Sequence, residues 1–209
     1  MGKYAHRIFG EIKQMRIILA SKSPRRKEIL ESLGLTFDII VADADERSDE
    51  PDPKKRVACL AAIKGRAVLE GLANPEDTLI IASDTLVYAE NEFLGKPKDK
   101  PDARRMIGLL SGSSHSVVSG LYLYYNGKEV AVADETRVLF DKMTDGEIEN
   151  YISTDEPYDK AGGYAVQGLA SLYISGLEGD YFNVVGLPVN LMYKTLKKDF
   201  NIDLNDLRA

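Results

Sequence analysis

Ile17-Ile18-Leu19-Ala20-Ser21-Lys22-Ser23-Pro24-Arg25-Arg26-Lys27-Glu28-Ile29-Leu30 passes from an apolar strand into a helix through a loop of serines and cations. Ser23 suits an N-cap and Pro24 the first helical position, while Ile29, Leu30 and Leu33 give an apolar helical face that ends at Gly34. The helix dipole favours Asp or Glu in such a first turn by roughly 0.3–1 kcal/mol each, yet Arg25, Arg26 and Lys27 stand there. An anionic ligand removes the conflict. Free backbone N–H groups, the hydroxyls of Ser21 and Ser23 and two guanidinium forks converge where a strand-to-helix loop opens at the carboxyl edge of a sheet, and the guest they suit is a phosphate chain. The alternative, a solvated basic turn, does not account for the cluster following directly on an apolar strand.

Working outward, residues 1–14 mix Lys, His, Arg and Glu with few apolar groups and read as an extension ahead of a single domain over 15–209. After a strand at 16–20 and a helix at 24–33, residues 36–41 read as a second strand running into the acidic loop Asp43-Ala44-Asp45-Glu46. Val57, Leu60, Ala61, Ile63, Ala67, Val68 and Leu72 recur at helical spacing and predict a long amphipathic helix over 54–72. Residues 78–82 and 85–89 are β-rich on either side of Ser83-Asp84, and Glu90-Asn91-Glu92 is turn-like, so a hairpin is expected there. A helix over 102–110 precedes two long β-rich runs, 115–125 and 128–140, joined by the hairpin signal Asn126-Gly127. A helix at 145–152, short strands at 161–167 and 171–174, and a closing helix at 189–198 complete the reading. This mixture predicts an α/β fold with a twisted mixed sheet flanked by helices, not a strict parallel alternation.

Composition narrows the function classes. At 209 residues and 44% hydrophobic content the chain can bury one substantial core. Its formal charge of -6 argues against a nucleic-acid backbone as partner, so a basic site must be local. Cys59 is the single cysteine; its neighbours Val57, Leu60 and Ala61 suggest a helix-core thiol, and the lack of a possible internal disulfide fits a reducing cytosol. No run has the length and apolarity of a membrane span or signal peptide. A soluble, cytoplasmic protein without a membrane partner is expected.

Asp84 is the strongest candidate for a catalytic group, a carboxylate between two β-forming segments with no helix to cap, expected at a sheet edge or kink. The competing reading is a turn aspartate making a local hydrogen bond. Leu94-Gly95-Lys96-Pro97 follows the hairpin turn and can return Lys96 to the same edge. Asp43, Asp45 and Glu46 offer oxygen ligands without His or Cys, the donor type for Mg2+ or Mn2+, although Asp43 by itself reads as part of a solvated loop. Lys64, in an amphipathic helix, reads by itself as a surface charge. Glycines beside Lys160 and Gln167 allow close backbone approach. With only His6 and His115 available and no Gly-x-Ser-x-Gly elbow, triad hydrolysis is not supported, and the P-loop and Gly-x-Gly-x-x-Gly patterns are also missing.

Taken together, Ala20-Ser21-Lys22-Ser23-Pro24-Arg25-Arg26, Asp45-Glu46, Ser83-Asp84-Thr85, Gly95-Lys96-Pro97, Leu110-Ser111-Gly112 with His115, Asp159-Lys160-Ala161-Gly162, Gln167-Gly168 and Asn183-Val184-Val185-Gly186-Leu187-Pro188 resemble the Maf family of nucleotide pyrophosphatases. The likeness runs from about Met15 to Lys198, and Met15 falls where such proteins usually begin. The resemblance implies an elongated mixed sheet related to the inosine-triphosphate pyrophosphatases, with a cleft between two lobes, often in a homodimer. It also implies cleavage of a nucleoside triphosphate between its α- and β-phosphates, with a divalent metal, Mg2+ or Mn2+, as cofactor. By that resemblance Asp84 corresponds to the general base, and Ser21, Arg25, Arg26, Lys64 and Lys96 line the phosphate site. Ser23 and Lys160 join the substrate-binding set, and Glu46 assists with metal or water beside Asp84. Arg26, Thr85 and Gln167 match the dTTP/UTP branch of the family as against the branch acting on 7-methyl-GTP. The glutamine amide can donate to a carbonyl and accept from the ring N–H of uracil or thymine. Asp155 and Ser113 depart from the usual glycine and basic residue at their positions, and neither removes a catalytic group. A regulator of cell division or septum formation that binds nucleotide without turnover is the reading from another class; it would need the basic loop but not Asp84. A structural module that binds a partner protein through its charged edge leaves the basic helix start unexplained.

Overall fold

The computed structural model describes residues 15–208; the expected extension at 1–14 lies outside the described residues. Strands β1 (Arg16–Leu19), β2 (Asp38–Ile39), β3 (Thr78–Ala89), β4 (Glu92–Leu94), β5 (Ser114–Tyr125), β6 (Lys128–Phe140) and β7 (Ile174–Glu178) form one sheet. Along it the order is β2-β1-β3-β5-β6-β7, with β4 paired to β3. β1 runs parallel to β2 and β3, and every other pairing is antiparallel. The helices are α1 (Pro24–Ser32), α2 (Pro53–Glu70), α3 (Lys100–Leu110), α4 (Asp145–Ile152), α5 (Tyr181–Val185) and α6 (Val189–Phe200). The expected mixed sheet with flanking helices is therefore what forms.

Alternation along the central strands supplies both faces of the core. Ile17, Leu19, Leu79, Ile81, Leu121 and Leu123 face Ile29 and Leu30 of α1 and Met192 and Leu196 of α6. Ile18, Ala20, Ile80, Ala82, Tyr122 and Tyr124 face Ala61, Ala62 and Val68 of α2. A separate cluster, including Val87, Leu94, Ile107, Leu110, Val138, Phe140 and Ile152, fills the far end of the sheet beneath α3 and α4. α2 lies unusually close to the strands. A Cβ on Gly120 would come within 2.0 Å of the Val57 carbonyl oxygen, and one on Gly65 within 2.1 Å of the Tyr122 ring.

β3 changes neighbours along one of its edges. β1 pairs with Thr78–Ile81, β4 pairs with Val87–Ala89, and between them the strand keeps only β5 as a ladder partner. Ser83 and Asp84 do not interrupt the strand as expected, because β3 is continuous through all 12 residues. Burying side chains such as Ile80, Ile81 and Val87 stabilises the strand by roughly 1.5–3 kcal/mol each, whereas β-propensities span only about 1 kcal/mol. The gap in pairing along one edge of β3 is what opens the cleft.

Other expectations shift at the ends and in the loops. The expected strand at 161–167 is a 3-10 turn, Ala161–Gly163, followed by irregular chain, since Gly162 and Gly163 adopt φ of 70° and 74°, far outside the extended region of a regular strand. The strand expected at 171–174 is a 3-10 turn over Leu169–Tyr173, and β7 starts where that expectation ended. Cys59 is exposed on α2, not in the core as its neighbours suggested. The Asn126-Gly127 hairpin forms as expected, both residues at positive φ. Among the described residues no helix is long and apolar enough to cross a membrane.

Candidate active site

The eleven residues that the family resemblance assigns to the site line one cleft of about 700 Å³: Ser21, Ser23, Arg25, Arg26, Glu46, Lys64, Asp84, Thr85, Lys96, Lys160 and Gln167. Lys27, the third cation of the first turn, does not line it and pairs with Glu31 at 3.6 Å. Its floor is the unpaired edge of β3. Lys22, which sequence reasoning passed over, also lines it. The cleft gathers six cations, Lys22, Arg25, Arg26, Lys64, Lys96 and Lys160, against four carboxylates, Asp43, Glu46, Asp84 and Asp159. On a chain of formal charge -6, this is a local inversion of sign that favours an anionic guest.

The basic wall is the start of α1. Ser23 occupies the N-cap without a side-chain hydrogen bond, Pro24 follows, and no acidic residue stands in the first turn. The first-turn amides of Arg25 and Arg26 therefore have neither an intrahelical partner nor a cap. Ser21, buried beneath, accepts from the Ser23 amide at 3.2 Å and from Arg26 Nη1 at 3.0 Å, which leaves its own hydroxyl proton for a ligand.

Arg25 and Arg26 part company. Arg25 reaches Asp159 across the cleft at 3.9 Å, and Asp159 is also bonded by Lys160, so one carboxylate spans cations from two segments. Arg26 is held on three sides. Its Nε donates to the Gly186 carbonyl at 2.8 Å, Nη1 to Ser21 and Nη2 to Thr85 Oγ1 at 3.3 Å. Burial lowers the pKa of this guanidinium and Asp84 opposes that shift, so the charge is retained inside the wall.

The Gly186 carbonyl also accepts from Ser83 Oγ at 2.9 Å. Ser119 donates its only hydroxyl proton to the Asn183 carbonyl at 2.8 Å, so in the 2.8 Å contact between Thr85 and Ser119 the donor is Thr85. Asn183, buried at the start of this segment, donates to the Val117 carbonyl at 2.9 Å and to Thr136 Oγ1 at 3.1 Å. Asn183 through Gly186 thus anchors Thr85 and Arg26 from behind. The segment was visible in the sequence as a motif, but without a role.

The acidic wall is simpler. Lys64 Nζ lies 2.5 Å from Asp84 Oδ1 and 3.0 Å from Glu46 Oε2, with 20% of the Lys64 side chain and 13% of the Asp84 side chain exposed. Lys64 is therefore no ordinary surface charge; α2 carries it over β3 to the carboxylate. Of the acidic loop Glu46 reaches Lys64 and Asp43 also lines the cleft, whereas Asp45 is paired with Arg47 at 2.5 Å. Two carboxylates from separate segments converge on one cation, here an ammonium. Among the described residues no group of three or more His, Cys, Asp or Glu side chains is arranged to hold a metal. A hard cation fits this donor set only if it draws its remaining ligands from water and substrate phosphate, the usual habit of Mg2+.

Lys96 is exposed at the mouth and has no ion-pair partner among the described residues. Its loop is tied to the opposite turn by the Gly162 amide donating to the Gly95 carbonyl at 3.0 Å. Gln167 is exposed on the far rim. His115, another motif residue, does not line the cleft. It is buried against Tyr164, whose hydroxyl lies 2.6 Å from Nε2.

Comparison with known proteins gives a consistent result. The family described as Maf-like protein matches residues 16–199. A protein of Thermoanaerobacter sp. (strain X514) named dTTP/UTP pyrophosphatase is 44% identical over 192 residues, spanning 91% of this chain and 100% of that one. A protein of the same name from Pyrococcus abyssi (strain GE5 / Orsay) is 47% identical over 186 residues, spanning 88% of this chain and 96% of that one. Among solved structures, the Staphylococcus aureus Ham1 protein superposes with a TM-score of 0.50 at 12% identity, covering 87% of this chain and 98% of that one, a likeness of fold alone.

Proposed function

Because the chain belongs to the Maf family, we propose that it is a nucleoside triphosphate pyrophosphatase that hydrolyses dTTP and UTP to the monophosphate and pyrophosphate, as its named relatives suggest. The observation that carries the chemistry is the convergence of Asp84, Lys64 and Glu46 on the open edge of β3, facing the basic start of α1.

The triphosphate lies along the first-turn amides of α1 with Ser21, Ser23, Arg25 and Lys160 about it, and Arg26 holds that wall from within. Asp84 takes a proton from a water that attacks the α-phosphorus. The new P–O bond forms as the bridging bond to the β-phosphate breaks, and pyrophosphate leaves with the electron pair. Lys64, Lys96 and Arg25 offset the charge gathering on that leaving group; preorganised cations act strongly where water is partly excluded. Lys64 also orients the Asp84 carboxylate. Asp84 and Glu46 would hold Mg2+ or Mn2+, which when bound supplies charge neutralisation at the phosphate oxygens. Gln167, free on the rim, reads the pyrimidine edge, and Arg26 with Thr85 shapes the neighbouring wall. A homodimer and a cytoplasmic location complete the proposal; sedimentation reads the first, and fractionation of cells reads the second.

Pyrophosphate release from UTP, dTTP, 7-methyl-GTP and ITP tests the proposal. It expects the two pyrimidine substrates to lead. A clear preference for either purine overturns the specificity, and no hydrolysis of any triphosphate with Mg2+ or Mn2+ favours the nucleotide-binding regulator.

A further inference from the structure

Glu156 lies outside the cleft lining, yet its carboxylate is the most heavily engaged in the loop that carries Gln167. Oε2 accepts from the Leu169 amide at 2.7 Å, and Oε1 accepts from the Ala170 amide at 3.3 Å and from the Tyr151 hydroxyl at 3.0 Å. Tyr151 is buried, and its single hydroxyl proton is shared between Glu156 Oε1 and the Gly163 carbonyl at 3.1 Å, so the clamp reaches the turn on the other side of the loop. Gly168 leaves the space the carboxylate fills: a Cβ there would lie 2.4 Å from both Glu156 oxygens.

These contacts do the work of an N-cap for the 3-10 turn Leu169–Tyr173, whose own N-cap residue is Gly168 and has no side chain to offer. The Gly168 amide in turn donates to the Ala165 carbonyl at 3.1 Å. Gln167 is thus held between a backbone turn before it and a carboxylate clamp immediately after it, while its own side chain is exposed on the rim of the cleft with no hydrogen-bond partner among the described residues. Such a residue can read a base only if its main chain is fixed, because a flexible carrier would forfeit the gain of a two-point contact in ordering cost.

We infer that Glu156 is a positioning residue for base recognition, acting through Gln167, whose role as the base contact this inference takes from the proposed function. The main-chain carbonyl of Glu156 also accepts from Lys160 Nζ at 3.3 Å, a contact that substitution of the side chain leaves in place.

The experiment compares kcat/KM for UTP with that for ribose 5-triphosphate, which carries the same phosphates and no base. Gln167→Ala sets the reference by lowering the ratio of UTP to the base-free substrate about tenfold, the worth of one to two modest hydrogen bonds. Glu156→Ala lowers the same ratio by a similar factor through KM for UTP, and Glu156→Gln, which keeps one acceptor, falls between it and the wild type. The double variant is no worse in this ratio than Gln167→Ala alone. Should Glu156→Ala fail to fold, Tyr151→Phe, which removes one donor to the carboxylate, shows a smaller fall of about threefold in the same ratio. A parallel loss on both substrates, an unchanged ratio in the Glu156 and Tyr151 variants, or losses that multiply in the double variant would overturn the positioning role and leave the base reading of Gln167 standing. An unchanged ratio in Gln167→Ala itself overturns the base reading and the inference with it.

Discussion

Replacing Gly120 with alanine tests how the fold sets the contact between Lys64 and Asp84. Gly120 is the β5 partner of Asp84, and a Cβ there would stand 2.0 Å from the Val57 oxygen, 2.3 Å from the Val57 carbonyl carbon and 2.7 Å from the Ala58 nitrogen. All three atoms belong to the backbone of α2, so no side chain can turn away. Restoring ordinary contact lifts the helix by about 1.4 Å at this point. Lys64 follows Val57 by two helical turns on the same face, so a helix moving as a unit carries Nζ from its 2.5 Å contact with Asp84 to near the limit of an ion pair. Overpacking costs roughly 1–3 kcal/mol, and relief of the glycine's entropy in a strand returns about 0.5–1 kcal/mol. The expected net is a loss on the order of 1–2 kcal/mol, read as a lower urea midpoint with an unchanged slope. Misplacement of this size near a reacting group costs up to about 100-fold in kcat. A Gly120→Ala protein with wild-type midpoint and wild-type kcat would refute the claim that the close seating of α2 holds Lys64 on Asp84.

Asp84→Asn is expected to lower kcat by about 10²–10⁴-fold while nucleotide binding, measured by calorimetry, persists, because the basic loop is untouched. Gly108, exposed in α3 with nothing within 4 Å of where an alanine methyl would stand, should accept alanine with a gain of roughly 0.5–1 kcal/mol and unchanged kcat, measured by urea unfolding and steady-state turnover. His115 has its pKa pushed down from 6.5 to about 4 by burial. It is neutral in the fold, so between those values the unfolded chain binds the extra proton. Its contribution is whole above about pH 6.5 and falls away as pH drops toward 4, on the order of 3 kcal/mol in all. The slope of stability against pH in that window should therefore be shallower in His115→Gln than in the wild type.

Local signals carried much of this molecule. The strand-loop-helix at 17–30, the Asn126-Gly127 hairpin and the helix α2 each follow from rules that act within a few residues, and each appears as expected, although the buried face of α2 takes in Ala62 and Gly65 while Ile63 and Ala67 are only half-buried. Long-range choices were not legible. Whether Ser83-Asp84 breaks β3 depends on β5 pairing across the whole strand. The exposure of Cys59 depends on which side of α2 meets Tyr122 and Tyr124. Lys64 looked like a surface charge because its partners, Glu46 and Asp84, lie 18 and 20 residues away in sequence. The strands expected at 161–167 and 171–174 do not form there because the local geometry is set by glycines at positive φ and by the carboxylate of Glu156, neither of which hydropathy records. In the same way, the Asn183–Gly186 segment acts through main-chain carbonyls, so its side chains gave no sign of the role.

The most direct test of the central claim is hydrolysis of UTP in water enriched in oxygen-18, with both products weighed by mass spectrometry. If Asp84 directs water at the α-phosphorus, the label enters the uridine monophosphate and the pyrophosphate is unlabelled. Label in pyrophosphate, or release of orthophosphate in its place, would contradict the account.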